Sequence, residues 1–240
     1  TRVLLLKAGG EDRYLWIHIP VGYLYCIGNP RTDWLFRTVQ EPGLGGRSIG
    51  YPRGKVFGGS SSINGMIYMR GQRGDYDRWA ADGNPGWSWD EVLPYFVRHE
   101  DHHTLDAGGS DPLHGHGGEW RVERARVTWE ILDAFRDAAA QAGIPPSDDF
   151  NRGDNLGCGY FEVNQKRGVR WNASKAFLRP VLHRPNLKVT AHAQVTGLVR
   201  RTDGSGRIEG VEYRTGGASG ESKRTLCDGE VVLSAGAIGS

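Results

Sequence analysis

The sequence predicts an α/β fold built on a parallel sheet, and three features predict it. Val3-Leu4-Leu5-Leu6 is a continuous apolar run that stops at Lys7 and turns at Gly9-Gly10, the pattern of a strand buried on both faces. The middle of the chain carries apolar residues at helical spacing. Its C-terminal third turns to β-branched runs separated by Gly- and Asp-rich turns such as Asp203-Gly204-Ser205-Gly206.

Taken in order, the strand at residues 3–6 begins abruptly, and as a first element it would have no neighbour on one side. Further sequence is therefore expected before Thr1. Residues 22–52, with Trp34, Phe36 and Tyr51 scattered among Gly and Pro, predict a long ordered loop. A short helix follows at residues 75–81. Ser88-Trp89-Asp90-Glu91 is a capping box that opens another running towards His99, and Pro94 predicts a kink in it. Residues 101–118, rich in His, Gly and Asp without periodicity, predict a surface loop. The clearest helix is residues 128–142, with Trp129, Leu132, Phe135 and Ala139 on one face that must pack on something. Gly143, Pro145 and Pro146 end it. Strands are expected at residues 187–199, 208–213 and 230–233. Residues 231–237 predict a buried strand entering a small-residue turn, with a helix expected beyond the last residue.

Composition narrows the function classes. The 240 residues carry 30 Lys and Arg against 28 Asp and Glu, a net charge of +2, too small for a dedicated nucleic-acid binder. No apolar run approaches the roughly 20 residues of a membrane span, and the N-terminus shows no charged-then-apolar leader pattern. Cys26, Cys158 and Cys227 are far apart and match no metal spacing, so they are expected to be thiols in a reducing, cytoplasmic compartment. His99, His102, His103, His114 and His116 crowd one region. Their spacing does not guarantee converging geometry, so a solvated loop is expected and no metal site is assigned. Asn172-Ala173-Ser174 fits a glycosylation sequon and is read as accidental, since no leader accompanies it. Trp79, Trp87 and Trp89 are expected to staple the local fold at helix starts.

The 36 glycines sit in clusters, which marks tight turns and close backbone approaches. The most informative stretch is residues 54–71, Gly-Lys-Val-Phe-Gly-Gly-Ser-Ser-Ser-Ile-Asn-Gly-Met-Ile-Tyr-Met-Arg-Gly. Adjacent glycines bring backbone amides close to a ligand, and three serines and an asparagine offer short polar groups for a phosphate or the polar edge of a ring. Val56, Phe57, Ile63, Met66 and Ile67 interrupt it and argue against a floppy linker.

This stretch resembles the first signature of the glucose-methanol-choline (GMC) oxidoreductases almost residue for residue. Three further stretches agree in order: residues 3–10 with a flavin-domain strand, Arg-Trp-Asn-Ala-Ser-Lys-Ala-Phe-Leu-Arg-Pro at 170–180 with a segment before the adenine-side strands, and residues 233–240 with the opening of the second signature. The choline-dehydrogenase-like branch is the most similar. The resemblance implies an FAD/NAD(P)-binding-type parallel sheet, incomplete here, with part of an α+β substrate-side domain. Residues 1–240 would be a partial FAD-binding domain, continued at both ends in a parent protein that could be membrane-associated.

The resemblance also implies FAD as cofactor, contacted by Val56, Asn64, Gly65, Met66 and Ile67, with Gly58, Gly59 and Ser60 shaping the loop beside pyrophosphate and flavin. Val195 matches a position whose backbone meets the adenine. Some relatives attach the flavin through a histidine before the signature asparagine; this chain has Ile63, so non-covalent binding is expected. The implied reaction takes an alcohol to an aldehyde, a base removing the hydroxyl proton while hydride passes to the flavin. The substrate would be a small alcohol, the electron acceptor is left open, and no residue of 1–240 is recognisable as the catalytic base. Where the family ends its second strand with a glutamate for the ribose hydroxyls, this chain has Lys7, which only donates. A non-catalytic flavin or nucleotide binder is the other reading that Lys7 allows.

Overall fold

The computed structural model describes residues 1–217 and 219–240. In chain order the elements are β1 (Val3–Leu6), α1 (Leu15–His18), α2 (Tyr23–Cys26), β2 (Phe36–Arg37), β3 (Gly50–Tyr51), α3 (Arg73–Ala81), α4 (Trp89–His99), β4 (Glu100–His102), β5 (Trp120–Arg124), α5 (Glu130–Gln141), β6 (Glu162–Val163), β7 (Gln165–Lys166), β8 (Val169–Arg170), β9 (Leu187–Thr190), β10 (Ala193–Arg200), β11 (Ile208–Thr215) and β12 (Glu221–Leu226).

The fold is mixed α and β with a small parallel sheet, as the sequence predicts. β1 pairs in parallel with β9, Val3 opposite Leu187 through Leu6 opposite Thr190. It is not buried on both faces as expected: Val3 and Leu5 are exposed, and Leu4 and Leu6 are half-buried, because among the described residues only β9 pairs with it. The strand expected over 187–199 is two strands. His192 has φ +53, and this left-handed residue turns the chain between β9 and β10. β10 then leaves the parallel pair to form an antiparallel sheet in the order β10-β11-β12. The two sheets meet where the Ala193 N–H donates to the carbonyl of Lys7 at 2.9 Å.

β12, Glu-Ser-Lys-Arg-Thr-Leu, has no apolar alternation to announce it, and it exists because its backbone completes the edge of β11. Conversely, residues 230–233 are not a strand: Val232 is 80% exposed, and no edge among the described residues pairs with it. A β-branched run becomes a strand only where a neighbouring backbone accepts it.

The helices follow their caps. In α4 the Ser88 N–H donates to Glu91 at 3.1 Å, and the helix runs on through Pro94 to His99. Gln72 and Asp75 make the equivalent box for α3, which starts two residues earlier than predicted. Of the three tryptophans expected to staple helix starts, Trp89 is 1% exposed and anchors the start of α4, while Trp79, in the last turn of α3, and Trp87 meet edge to face on the surface. α5 occupies the predicted helix, but of its apolar face only Ala139 is buried; Trp129, Leu132 and Phe135 stay exposed.

Two predicted loops are more structured than composition suggests. Residues 22–52 contain α2 and the β2-β3 pair, organised by Asp33, whose carboxylate accepts from the N–H groups of Gly28, Leu35 and Arg53. Residues 101–118 are a correction. Asp101 and His102 belong to β4, which pairs with β5, and both are buried, as is His114.

Candidate functional site

The segment 54–67 lies against the carboxyl end of β1, where the open edge of a parallel sheet offers its binding crevice. Gly10 bridges Val56 in parallel, and the Phe57 N–H donates to the Gly10 carbonyl at 2.9 Å. Val56 and Ile63 face inward, 2% exposed each, and pack with Ile17 and Cys26 in the hydrophobic core. This apolar anchor fixes the turn between them, in which Ser60 is exposed, Ser61 half-buried and Ser62 fully buried. Gly58 and Gly59 are both left-handed, with φ of +84 and +57. A Cβ on Gly58 would lie 2.5 Å from Ser62 Oγ and 3.1 Å from Asn172 Nδ2, so only glycine fits.

Ser60, Ser61 and Ser62 divide their work. The Gly54 N–H donates to Ser60 Oγ at 3.1 Å. Ser61 Oγ donates to the Gly58 carbonyl, and Ser62 Oγ to that of Phe57, at 2.6 Å each. Asn64 and Gly65 are exposed beyond this turn, and nothing lies within 4 Å of a Cβ placed on Gly65. Asn64 Oδ1 accepts from the Met66 N–H at 3.1 Å, and Met66 is itself left-handed at φ +64. Ile67, 52% exposed, bridges Val163. Eight of the nine predicted residues therefore form one continuous ledge. Val195 stands apart from it on β10, two residues beyond the Ala193 that bonds the Lys7 backbone, so Lys7 is where the ledge and the β10 side come together.

The ledge rests on the segment 170–174, whose individual roles the sequence did not reveal. Arg170, 1% exposed, donates from Nε to the Ile17 carbonyl at 2.8 Å. Its Nη1 donates to the Ser61 carbonyl at 3.1 Å and to Asn64 Oδ1 at 2.9 Å. Nη2 is buried without a partner, and burial of the unpaired cation lowers its pKa to about 10. Asn172, fully buried, donates to Asp12 Oδ2 at 3.0 Å and Ser62 Oγ at 2.8 Å. The sequon asparagine is thus a structural bracket inaccessible to glycosylation. The Ala173 N–H reaches Ser61 Oγ at 2.9 Å, and Asp12 is closed by Ser174 and Arg179.

These features fit a dinucleotide. Paired left-handed glycines leave the ledge free of side chain, an exposed amide stands at its end held by a buried cation, and the surroundings carry positive charge in Lys7, Arg170 and Lys175. A groove of about 650 Å³ lies elsewhere, lined by Lys166, Arg167, Trp171, Lys175 and Arg179 among others. Lys175 is occupied with the Arg170 carbonyl at 2.6 Å and Arg179 with Asp12 at 3.0 Å, so this opening offers less unpaired charge than its composition suggests.

The histidine region is a second polar centre. His114 sits between two carboxylates, its Nδ1 3.0 Å from Glu100 and its Nε2 2.9 Å from Asp149. Burial alone would lower its pKa, but the hydrogen bonds to Asp149 and Glu100 outweigh that and raise it to about 9. Burial would raise Asp149, and the His114 bond instead brings it to about 2. His102 and His103 both reach Glu162, at 3.0 and 2.9 Å. Glu162 is likewise held at about 2 against burial. Arg70 completes the centre with a 2.7 Å pair to Glu100. The ligand atoms of Glu100, His102 and His114, and those of His102, His103 and Glu162, lie within 4.8 Å of one another, a convergence the spacing did not foretell. The rings of His102 and His114 are bonded at both nitrogens.

Known proteins are similar to this chain in sequence and fold. The family model described as GMC oxidoreductase matches residues 21–240. Mitochondrial choline dehydrogenase of Mus musculus is 39% identical over 250 residues, covering all of this chain and 40% of that protein. Pyridoxine 4-oxidase from Mesorbium loti superposes with a TM-score of 0.84 at 32% identity, over 94% of this chain and 43% of that one. An FAD-dependent oxidoreductase from Chaetomium thermophilum does so with a TM-score of 0.88 at 27% identity, over all of this chain and 42% of that one. The chain thus spans about two fifths of the length of these proteins. Sequence and overall fold agree, and the chain belongs to the GMC oxidoreductase family.

Proposed function

We propose that the protein is an FAD-dependent oxidoreductase acting on CH–OH groups, taking an alcohol to an aldehyde, and that residues 1–240 are part of its FAD-binding domain. The observation that carries this is the ledge itself: left-handed Gly58 and Gly59, then Asn64 fixed by buried Arg170, at the carboxyl end of β1. Val56, Gly58, Gly59, Ser60, Asn64, Gly65, Met66, Ile67 and Val195 would hold the cofactor. When bound, FAD supplies the hydride acceptor.

The chain's own contribution is orientation. Arg170 and the Met66 N–H fix Asn64 Oδ1 from two sides, leaving the amide N–H₂ group to donate outward. Ile63 is buried beneath the ledge and presents no nucleophile, which supports non-covalent binding. The relatives named choline dehydrogenase and pyridoxine 4-oxidase support a small alcohol as substrate. The three cysteines are free thiols, which supports a reducing, cytoplasmic compartment, and no helix among the described residues is long and apolar enough to cross a membrane.

Lys7 favours a second reading, a flavin or nucleotide binder without turnover, because an ammonium cannot accept from ribose hydroxyls. The test is anaerobic addition of choline and other primary alcohols to the purified protein, expressed from its complete coding sequence. Bleaching of the visible flavin band supports the oxidoreductase. A flavin that binds but is not reduced by any alcohol supports the binder.

A further inference from the structure

Lys7 closes β1 at the point where a nucleotide-binding strand ordinarily ends in an acid that accepts from the ribose hydroxyls. Its stem is half-buried, and no hydrogen bond or ion pair engages its ammonium among the described residues. Other cations around the ledge are engaged: Arg170 holds Asn64, Lys175 the Arg170 carbonyl and Arg179 Asp12, while the Lys55 ammonium lies 4.6 Å over the Trp34 ring. The Lys7 ammonium points at the glycine turn, since a Cβ placed on Gly59 would lie 3.8 Å from Nζ. No side chain stands between them, because Gly59 has none. Burial without a counter-charge lowers the Lys7 pKa, the situation an anionic ligand would reverse.

We propose that Lys7 is a phosphate-binding residue of the cofactor site: it pairs with the pyrophosphate of the dinucleotide over Gly58-Gly59, replacing ribose recognition by phosphate recognition. This rests on the FAD reading above and goes beyond it by reassigning the ligand group met by this strand end. A compact ammonium on a flexible stem is suited to a phosphate as a point charge. Such a contact is charge-assisted and screened by salt, whereas an acid-to-hydroxyl contact is only weakly so.

The test is binding, read by flavin fluorescence, on apoprotein prepared from the complete protein. Wild type, Lys7→Met, Lys7→Arg and Lys7→Glu are titrated with FAD and with riboflavin, which carries no phosphate. Thermal unfolding of each apoprotein confirms that the variants fold. Lys7→Met is expected to weaken FAD about 10- to 100-fold, the loss of one charge-assisted bond, and to leave riboflavin unchanged. Lys7→Arg should retain most of the affinity, and Lys7→Glu should be weaker than Lys7→Met. Tighter FAD binding by Lys7→Glu, or equal binding by wild type and Lys7→Met, overturns the assignment while leaving the FAD reading intact. A folded wild type that takes up no FAD overturns the FAD reading, and Lys7 as a cofactor residue with it.

Discussion

Replacing Arg70 by methionine removes the cation at the centre of the buried polar network while keeping most of the stem's volume. Arg70 and Glu100 have side chains 1% and 0% exposed, and their pair at 2.7 Å is not the only bond at stake. The guanidinium also donates to the Leu113 carbonyl at 2.6 Å and to Tyr68 Oη at 3.1 Å. Burial would raise the Glu100 pKa, and the donors His114, Arg70 and Gly115 N–H instead hold it below the usual carboxylate range. Without Arg70, Oε1 of Glu100 loses its donor, and a buried carboxylate is left with its charge only partly met. Breaking a buried pair by removing one partner costs about 3–5 kcal/mol, and the stranded Leu113 carbonyl argues for the upper end. Equilibrium urea unfolding measures it. In the Arg70→Met background, Glu100→Gln should recover part of the loss, because it removes the uncompensated charge, so the two changes are not additive. A loss under about 1 kcal/mol for Arg70→Met, or strictly additive losses in the pair, would refute the reasoning.

The His114 pKa, raised from 6.5 to about 9, makes stability fully present below pH 6.5 and lost as the pH rises through about 9. At 1.36 kcal/mol per unit that contribution is on the order of 3 kcal/mol. Asp149 and Glu162, lowered to about 2, contribute above their ordinary range and lose that contribution as the pH falls towards 2. Stability against pH should therefore plateau between these limits. His114→Gln should remove the alkaline decline together with the Asp149 share of the acid one, keeping the Glu162 share, which His102 and His103 supply; an alkaline decline unchanged in the variant would contradict the linkage. Gly58→Val forces a β-branched residue to φ +84 with its Cβ 2.5 Å from Ser62 Oγ, which costs about 1–3 kcal/mol and should abolish flavin uptake. Gly46→Ala, at φ +73 with nothing within 4 Å, is the control that bears the strain without touching the ledge and should keep uptake intact.

What the sequence disclosed is what local pattern encodes. β1 as a strand, the capping box of α4 and the tight glycine turn at Gly58-Gly59 depend on neighbours a few residues away, and each is present in the fold, although β1 is more exposed than its apolar run implies. The supports of the ledge did not show. Arg170 and Asn172 reach Asn64 and Ser62 across more than 100 residues, and nothing in the order Arg-Trp-Asn-Ala-Ser states that its arginine and asparagine point inward. The resemblance marked that segment as meaningful without saying what its side chains do. The histidine region failed for a related reason. Composition rich in His, Gly and Asp reads as solvated loop, but His102 and His114 are buried because Glu162, Glu100 and Asp149 arrive from elsewhere in the chain to satisfy them. At residues 230–233 the error ran the other way, since β-branched residues without a neighbouring edge remain irregular.

The central claim is that the ledge at residues 54–67 binds FAD without a covalent link, and the most direct test is to ask what flavin the protein holds and how. The protein, expressed from its complete coding sequence and saturated with FAD, is denatured in acid, and supernatant and precipitate are compared by absorption and mass. FAD in the supernatant and a precipitated chain of unmodified mass are the expected result. Flavin retained on the chain, or a folded protein that takes up none, would contradict it.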